Sequence, residues 1–86
     1  MSGTPQYYLP KGIKSVTLDE TMTDGYNHGV LAEATGTFNV TYSDDTSHTY
    51  TVGTLPYYIY GDIKTVNTTG TTISASNLFR FRIGVK

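Results

Sequence analysis

Residues 35–53 read TGTFNVTYSDDTSHTYTVG, and their alternation decides the fold. Phe38, Val40 and Tyr42 take every second position, with Thr37, Asn39, Thr41 and Ser43 between them. His48, Tyr50 and Val52 then alternate with Ser47, Thr49 and Thr51. A period of two marks a strand that buries one face, because successive side chains of an extended chain point to opposite sides. Two such runs flanking Asp44, Asp45 and Thr46 make an antiparallel hairpin. Its register follows from parity. Val40 and Tyr50 share a face across the ladder only if paired residue numbers sum to an even value, such as 90. A two-residue loop closing 43 to 46 gives an odd sum and sets apolar against polar. The loop therefore holds three or five residues unless a bulge absorbs one, and a three-residue turn ending in a left-handed Thr46 is expected. Threonine is a poor residue for that conformation.

The pattern continues on both sides. Residues 12–18 (GIKSVTL) alternate as a strand, with Lys14, Val16 and Leu18 on one side. Residues 19–29 (DETMTDGYNHG) are dense in turn formers and acids and read as a loop. VLAEA, residues 30–34, is too short between glycines for a stable helix and reads as a strand. Tyr57 to Tyr60 after Pro56, and Ile63 to Asn67 after a turn at Gly61 and Asp62, are two more. LFRFRIGVK (residues 78–86) is the last, with Phe79, Phe81, Ile83 and Val85 on the core face and Arg80, Arg82 and Lys86 opposite. Short strands at this spacing predict an all-β fold: a small antiparallel β-sandwich or barrel of six to seven strands. The 86 residues make one domain, with residues 1–10 an extended N-terminal arm.

Composition narrows the kind of work. Apolar residues are 37% of the chain, and a domain this small has a thin margin of stability. With no cysteine, disulfides and thiolate metal sites are both excluded, so oligomerisation is the expected support. A net charge of -1 offers no long-range attraction to nucleic acid or anionic membrane. The first residues show no basic n-region or apolar h-region, and the chain is expected to be soluble and made inside a cell. Threonine occupies sixteen positions and tyrosine eight, both suited to a pleated, half-buried surface. The surface is thus polar through hydroxyls rather than ions.

Candidate chemistry is sparse. Asp19, Glu20 and Asp24 cluster, as do Asp44 and Asp45, but their spacing matches no calcium loop and acids in turns serve as caps. A glycosidase pair lacks the chain length for a cleft. Ser47, His48 and Asp44 are neighbours in a hairpin and cannot aim at one atom as a triad requires. His28 reads as a loop residue. Asn39 and Asn67 each begin a glycosylation acceptor pattern, which matters only after secretion. No catalytic residue, cofactor or metal is implied, and the expectation is that the protein is not an enzyme.

One internal echo stands out: YYLPKGIKSV at residues 7–16 and YYIYGDIKTV at residues 57–66. Its structural reading is two equivalent strand starts in a pseudo-symmetric sandwich, with Val16 and Val66 in similar core positions. Its functional reading is a shared aromatic surface, since tyrosine combines apolar area with a polar tip. Adjacent tyrosines on a strand point to opposite faces, so both readings are compatible. The contact residues expected on this basis are Tyr7, Tyr8, Tyr57, Tyr58 and Tyr60, with Arg80 and Arg82 as a polar rim.

The threonine- and tyrosine-rich, cysteine-free strands, the hairpin FNVTYSDDTSHTYTV and the segment LPYYIYGDIKTVNTTGTT resemble the small β-rich structural proteins of tailed bacteriophage virions, of the head decoration or cement type. The resemblance implies a compact β-domain located in the virion, made in the host cytoplasm, and stabilising contacts between capsid subunits. Its implied partners are other copies of itself, with a trimer favoured, and a major capsid or other virion protein. No site residue carries over, because the resemblance rests on no motif. The alternative is a carbohydrate- or receptor-binding β-module of a phage tail or fibre, in which tyrosines stack on sugar faces.

Overall fold

A computed structural model describes residues 10–84. Strands β3 (Gly36–Tyr42) and β4 (Ser47–Val52) form the expected hairpin, with Phe38 opposite Tyr50 and Val40 opposite His48. Paired numbers sum to 88, an even value, so Phe38, Val40, Tyr50 and Val52 all pack on the core side. The loop holds three residues, 43–45. The Tyr42 N–H donates to the Thr46 carbonyl at 2.7 Å, and the left-handed residue is Asp45 (φ 71°), not Thr46. Moving the loop by one residue removes the steric conflict, since aspartate tolerates this region and a β-branched side chain does not. Asp44 locks the turn by accepting from the Thr46 N–H (3.0 Å) and hydroxyl (2.6 Å).

β6 (Ile63–Asn67) pairs antiparallel with the other side of β3, giving a three-stranded sheet in the order β4-β3-β6. A four-stranded sheet faces it, built from β1 (Pro10–Ser15), β2 (Gly29–Ala32), β5 (Tyr57–Tyr60) and β7 (Leu78–Ile83) in the order β1-β7-β2-β5. Among the described residues, seven strands in two packed antiparallel sheets make the fold all-β. Of the VLAEA segment, Val30 to Ala32 are strand, and Glu33 and Ala34 lie past its end. β2 is buried at all four positions between β5 and β7. β1 is shorter than its alternation predicts: it ends at Ser15, the Val16 N–H donates to the Leu78 carbonyl, and the chain turns at Asp19 (φ 66°).

The core is filled from both layers. Val16, Val30, Ala32, Ile59 and Leu78 come from the four-stranded side, and Phe38, Val40, Val52, Ile63 and Val66 from the other. Ile73 enters from the connection to β7. Tyr42 and Tyr50 close one end of it with a hydroxyl–hydroxyl hydrogen bond. Burial, then that bond, push the Tyr42 hydroxyl up to about 12, so it stays protonated. The internal echo is only half structural. Val16 and Val66 are both core residues, but Ile13 is 49% exposed while Ile63 is fully buried, and β1 and β6 are edges of different sheets.

Two connections complete the sheets where strands run out. The 17–28 connection follows the free edge of β6, with the Asp19 N–H donating to Val66 O (2.7 Å) and the Met22 N–H to Lys64 O (2.9 Å). Leu18 and Met22 pack on the core from there. The Tyr26 ring lies on Gly12, where a Cβ would come within 2.8 Å of it. Residues 68–73 prolong the ladder beside β3 with side chains. Thr71 Oγ1 accepts from the Asn39 N–H and Thr72 Oγ1 from the Thr37 N–H, both at 2.9 Å. The Thr37 carbonyl in turn accepts from the N–H groups of Thr72 and Ile73. Thr71 and Thr72 thereby serve backbone N–H groups that would otherwise lack a partner.

The left-handed Asp45 supplies a direct check. Asp45→Gly loses an exposed ion pair with Lys64, worth about 0–1 kcal/mol, and relieves the backbone, so its net change is expected within about 0.5 kcal/mol. Asp45→Val is expected to cost about 1–2 kcal/mol in urea unfolding, because its branched Cβ crowds the left-handed backbone.

Candidate functional site: an outward aromatic face

The alternation of β7 holds, but its two faces are the reverse of the sequence expectation. Leu78 enters the core, and Arg80 and Arg82 follow it inward, while Phe79, Phe81 and Ile83 lie on the outer surface of the four-stranded sheet. The inward arginines meet the 17–28 connection rather than the second sheet. Arg80 Nη1 donates to Asp24 Oδ1 at 2.7 Å and its Nε to the Ser15 carbonyl at 3.2 Å. Lys14 Nζ donates to Asp24 Oδ2 at 2.9 Å, and Lys14 and Arg82 lie over the Tyr26 ring at 4.4 and 5.5 Å. Opposite charge and a ring face make the inward side tolerable for cations. The Arg80 hydrogen bond, then that of Lys14, hold the Asp24 carboxyl well below the usual carboxylate range.

Strand register assembles the outer surface into two rows. Ile13, Phe81, Gly29 and Tyr60 stand side by side across β1, β7, β2 and β5, and Ser15, Phe79, Leu31 and Tyr58 form the next row. Gly29 is the notch. A Cβ there would lie 2.3 Å from Phe81 Cζ and 2.2 Å from the Ile59 carbonyl oxygen. Phe81 therefore lies flat against the backbone and is fully buried although it points away from the core. Tyr58 and Tyr60 meet its ring edge-on at 6.0 and 5.4 Å and stand nearly parallel to each other, 6.3 Å apart. Tyr58 is 40% and Tyr60 46% exposed, and Ile13 completes the exposed rim. Burial, then the neighbouring Tyr58, raises the Tyr60 hydroxyl, so the face carries no charge of its own near neutral pH.

Of the contact residues expected from the sequence, the structure brings only Tyr58 and Tyr60 together. Tyr57 turns inward against Phe38, ring centroids 6.2 Å apart. Arg80 and Arg82 are on the opposite side of β7 and form no rim to this face. Tyr7 and Tyr8 lie outside the described residues. Ile13, Leu31, Phe79 and Phe81 were missed as members. The available signal was Leu78, whose apolar side chain is out of phase with the Phe79, Phe81 and Ile83 run and leaves the inward side of β7 ambiguous.

The other candidates resolve into local structure. Asp19 accepts from the Thr68 N–H (2.9 Å) and hydroxyl (2.6 Å), and these bonds lower its carboxyl. His28 Nδ1 accepts from the Ile83 N–H at 3.0 Å, and the His48 ring packs on Tyr50 at 4.6 Å. Among the described residues no three His, Asp or Glu side chains gather as metal ligands, and no helix is long and apolar enough to cross a membrane. The outer surface of the three-stranded sheet is a hydroxyl and amide ladder. Asn67 donates to Asn39 (2.6 Å) and Thr41 (2.8 Å), Asn39 donates to Thr49 (2.8 Å), and Thr41 pairs with Ser47 (2.9 Å). Compared with known proteins, the chain matches no family model, no curated protein and no solved structure.

Two checks follow from this geometry. Gly29→Ala is expected to lose about 1–3 kcal/mol by urea unfolding, because the added methyl must displace both Phe81 and β5. Gly53→Ala, with open space around it, should stay near neutral. The Asp24 carboxyl titrates lower in the folded chain than in the unfolded one. Its stabilisation is therefore full above about pH 4 and lost as pH falls below that value. Asp24→Asn should be less stable than the native chain at pH 7, and the difference should shrink toward pH 3 when urea midpoints are compared.

Proposed function

We propose that the protein is a non-enzymatic structural component of a tailed-phage virion, a capsid decoration or cement protein, and that it docks through the aromatic face of its four-stranded sheet. The observation that carries this reading is the outward position of Tyr58, Tyr60 and Ile13 over Phe81, on a sheet face that no hydrophobic core requires. Rigid tyrosines bury large area at small entropic cost and are the residues that dominate contact surfaces. The opposite surface satisfies its own polar groups side chain to side chain, which suits a solvent-facing exterior. A face without ionised groups fits attachment that persists across a wide range of salt. Docking onto a preformed lattice also stabilises a small domain by mass action.

The test is sedimentation with capsids of the phage that encodes the chain. Tyr58→Thr combined with Tyr60→Thr keeps strand-forming residues on β5 and is expected to weaken capsid binding about tenfold or more while the far-UV spectrum is retained. Ile13→Thr provides a second, milder variant at the rim. Unchanged binding by both variants removes the aromatic face from the reading. Binding to polysaccharide but not to capsids favours the carbohydrate-binding module instead.

A further inference from the structure

The two sheets end in four edge strands, β1 and β5 on one and β4 and β6 on the other. Three of these edges carry devices that discourage strand addition. β1 contains Pro10, Lys11 and Lys14 and a register shift between Pro10 and Gly12. β5 is only four residues long and follows Pro56. β6 is lined by the 17–28 connection, whose Asp19 and Met22 N–H groups donate to its carbonyls. β4 has none of these. Ser47–Val52 holds no proline, glycine, Asp, Glu, Lys or Arg, and it keeps one register along β3. Among the described residues no strand lies on its other side. The bonding of β3 fixes which backbone groups of β4 face outward. The Thr37 and Asn39 N–H groups donate to Thr72 and Thr71, away from β4, so the even-numbered residues of β3 bond to β4. The bond from the Tyr42 N–H to the Thr46 carbonyl belongs to that set. His48 and Tyr50 are the inward-bonding residues of β4, and the N–H and carbonyl groups of Ser47, Thr49 and Thr51 point outward.

We propose that this edge pairs with β4 of a second copy, antiparallel about a two-fold axis at Thr49, joining the two three-stranded sheets into one. Setting Thr49 against Thr49, and Ser47 against Thr51 in both directions, lets every outward N–H and carbonyl of β4 find a partner. Odd residues then meet odd ones, so hydroxyls oppose hydroxyls on the outer surface and His48 opposes Tyr50 on the inner one. A two-fold contact brings residues against their own kind, and β4 has no Asp, Glu, Lys or Arg to repel its copy. The outer polar row also continues unbroken. Asn67 donates to Asn39 and Asn39 to Thr49, and the same row runs on from Thr49 of the second copy. One strand pair buries less than the roughly 800 Å² per side of a permanent interface, so main-chain hydrogen bonds carry it and the dimer dissociates on dilution. Its order is two, where the virion resemblance implies a trimer. The contact uses a lateral edge and leaves the aromatic face uncovered, so it goes beyond the docking reading and does not rest on it.

The test is sedimentation equilibrium of the full chain from roughly 10 μM to roughly 1 mM, with amide hydrogen exchange measured at both ends of that range. The mass should rise toward that of two chains. The Ser47, Thr49 and Thr51 amides should exchange several-fold more slowly at the higher concentration, with those of β5 unchanged. Thr49→Lys and Thr49→Glu each set like charges across the axis and should weaken dimerisation about fivefold or more, whereas an equimolar mixture of the two should dimerise. A failure to fold would not be rescued by mixing. A monomer at every concentration, a closed trimer, or a mixture that associates no better than either variant alone overturns the proposal. A dimer with slowed exchange only on β5 also overturns it and assigns the contact to the aromatic face. Tyr58→Thr combined with Tyr60→Thr should leave the mass curve unchanged, so loss of capsid binding and loss of dimerisation are separate failures.

Discussion

The rest of the structure depends on a mismatch of width. Four strands face three, and the uncovered inner side of β1 and β7 must be closed by something that is not a strand. The 17–28 connection does this by hydrogen-bonding along β6 in the place a fourth strand would take, with Leu18 and Met22 completing the core. Where that connection passes β7 it offers a carboxylate and a ring instead of aliphatic side chains. Cations on the inward face of β7 are consequently stabilised there, with the Arg80 side chain only 13% exposed beside Asp24. Because the arginines point in, alternation obliges Phe79, Phe81 and Ile83 to point out. The aromatic face is thus the counterpart of the Asp24 cluster on the other side of the same strand.

The two outer surfaces solve the same problem by different physics. On the three-stranded sheet, short hydroxyl and amide side chains saturate one another across the strands, and the threonines of residues 68–73 extend this to backbone groups at the ladder's end. Such a surface gains little from further contact, since any new partner must replace bonds already made. On the four-stranded sheet, rings shield one another, Phe81 completely and Tyr58 and Tyr60 in part, and the residual apolar area gains from being covered. That asymmetry leaves residual apolar area on one outer surface and a self-paired polar ladder on the other.

Strand identity was legible wherever hydrophobic alternation was unbroken. Phe38, Val40, Tyr50 and Val52 define β3 and β4, and parity alone specified an odd-length loop, because a slip by one residue would exchange the faces of a whole strand. The position of the left-handed residue within that loop was misread by one, because parity sets the loop's length but not its place, although the poor tolerance of Thr46 for positive φ already favoured Asp45. VLAEA was legible as a strand, yet its central position was not, since periodicity does not report neighbours.

What the sequence determined by itself is the set of strands, their two faces and the chemistry on each face, because the period of two is a local property of the extended chain. What only the tertiary structure decided is which face is inside. On β7 a run of Phe, Arg, Phe, Arg and Ile admits either answer, and the choice was made by Asp24 and Tyr26, more than fifty residues earlier, which accept the arginines. The same holds for Gly29, whose missing side chain matters only because register sets Phe81 against it. Non-local pairing assigns these partners, and no window of sequence contains them.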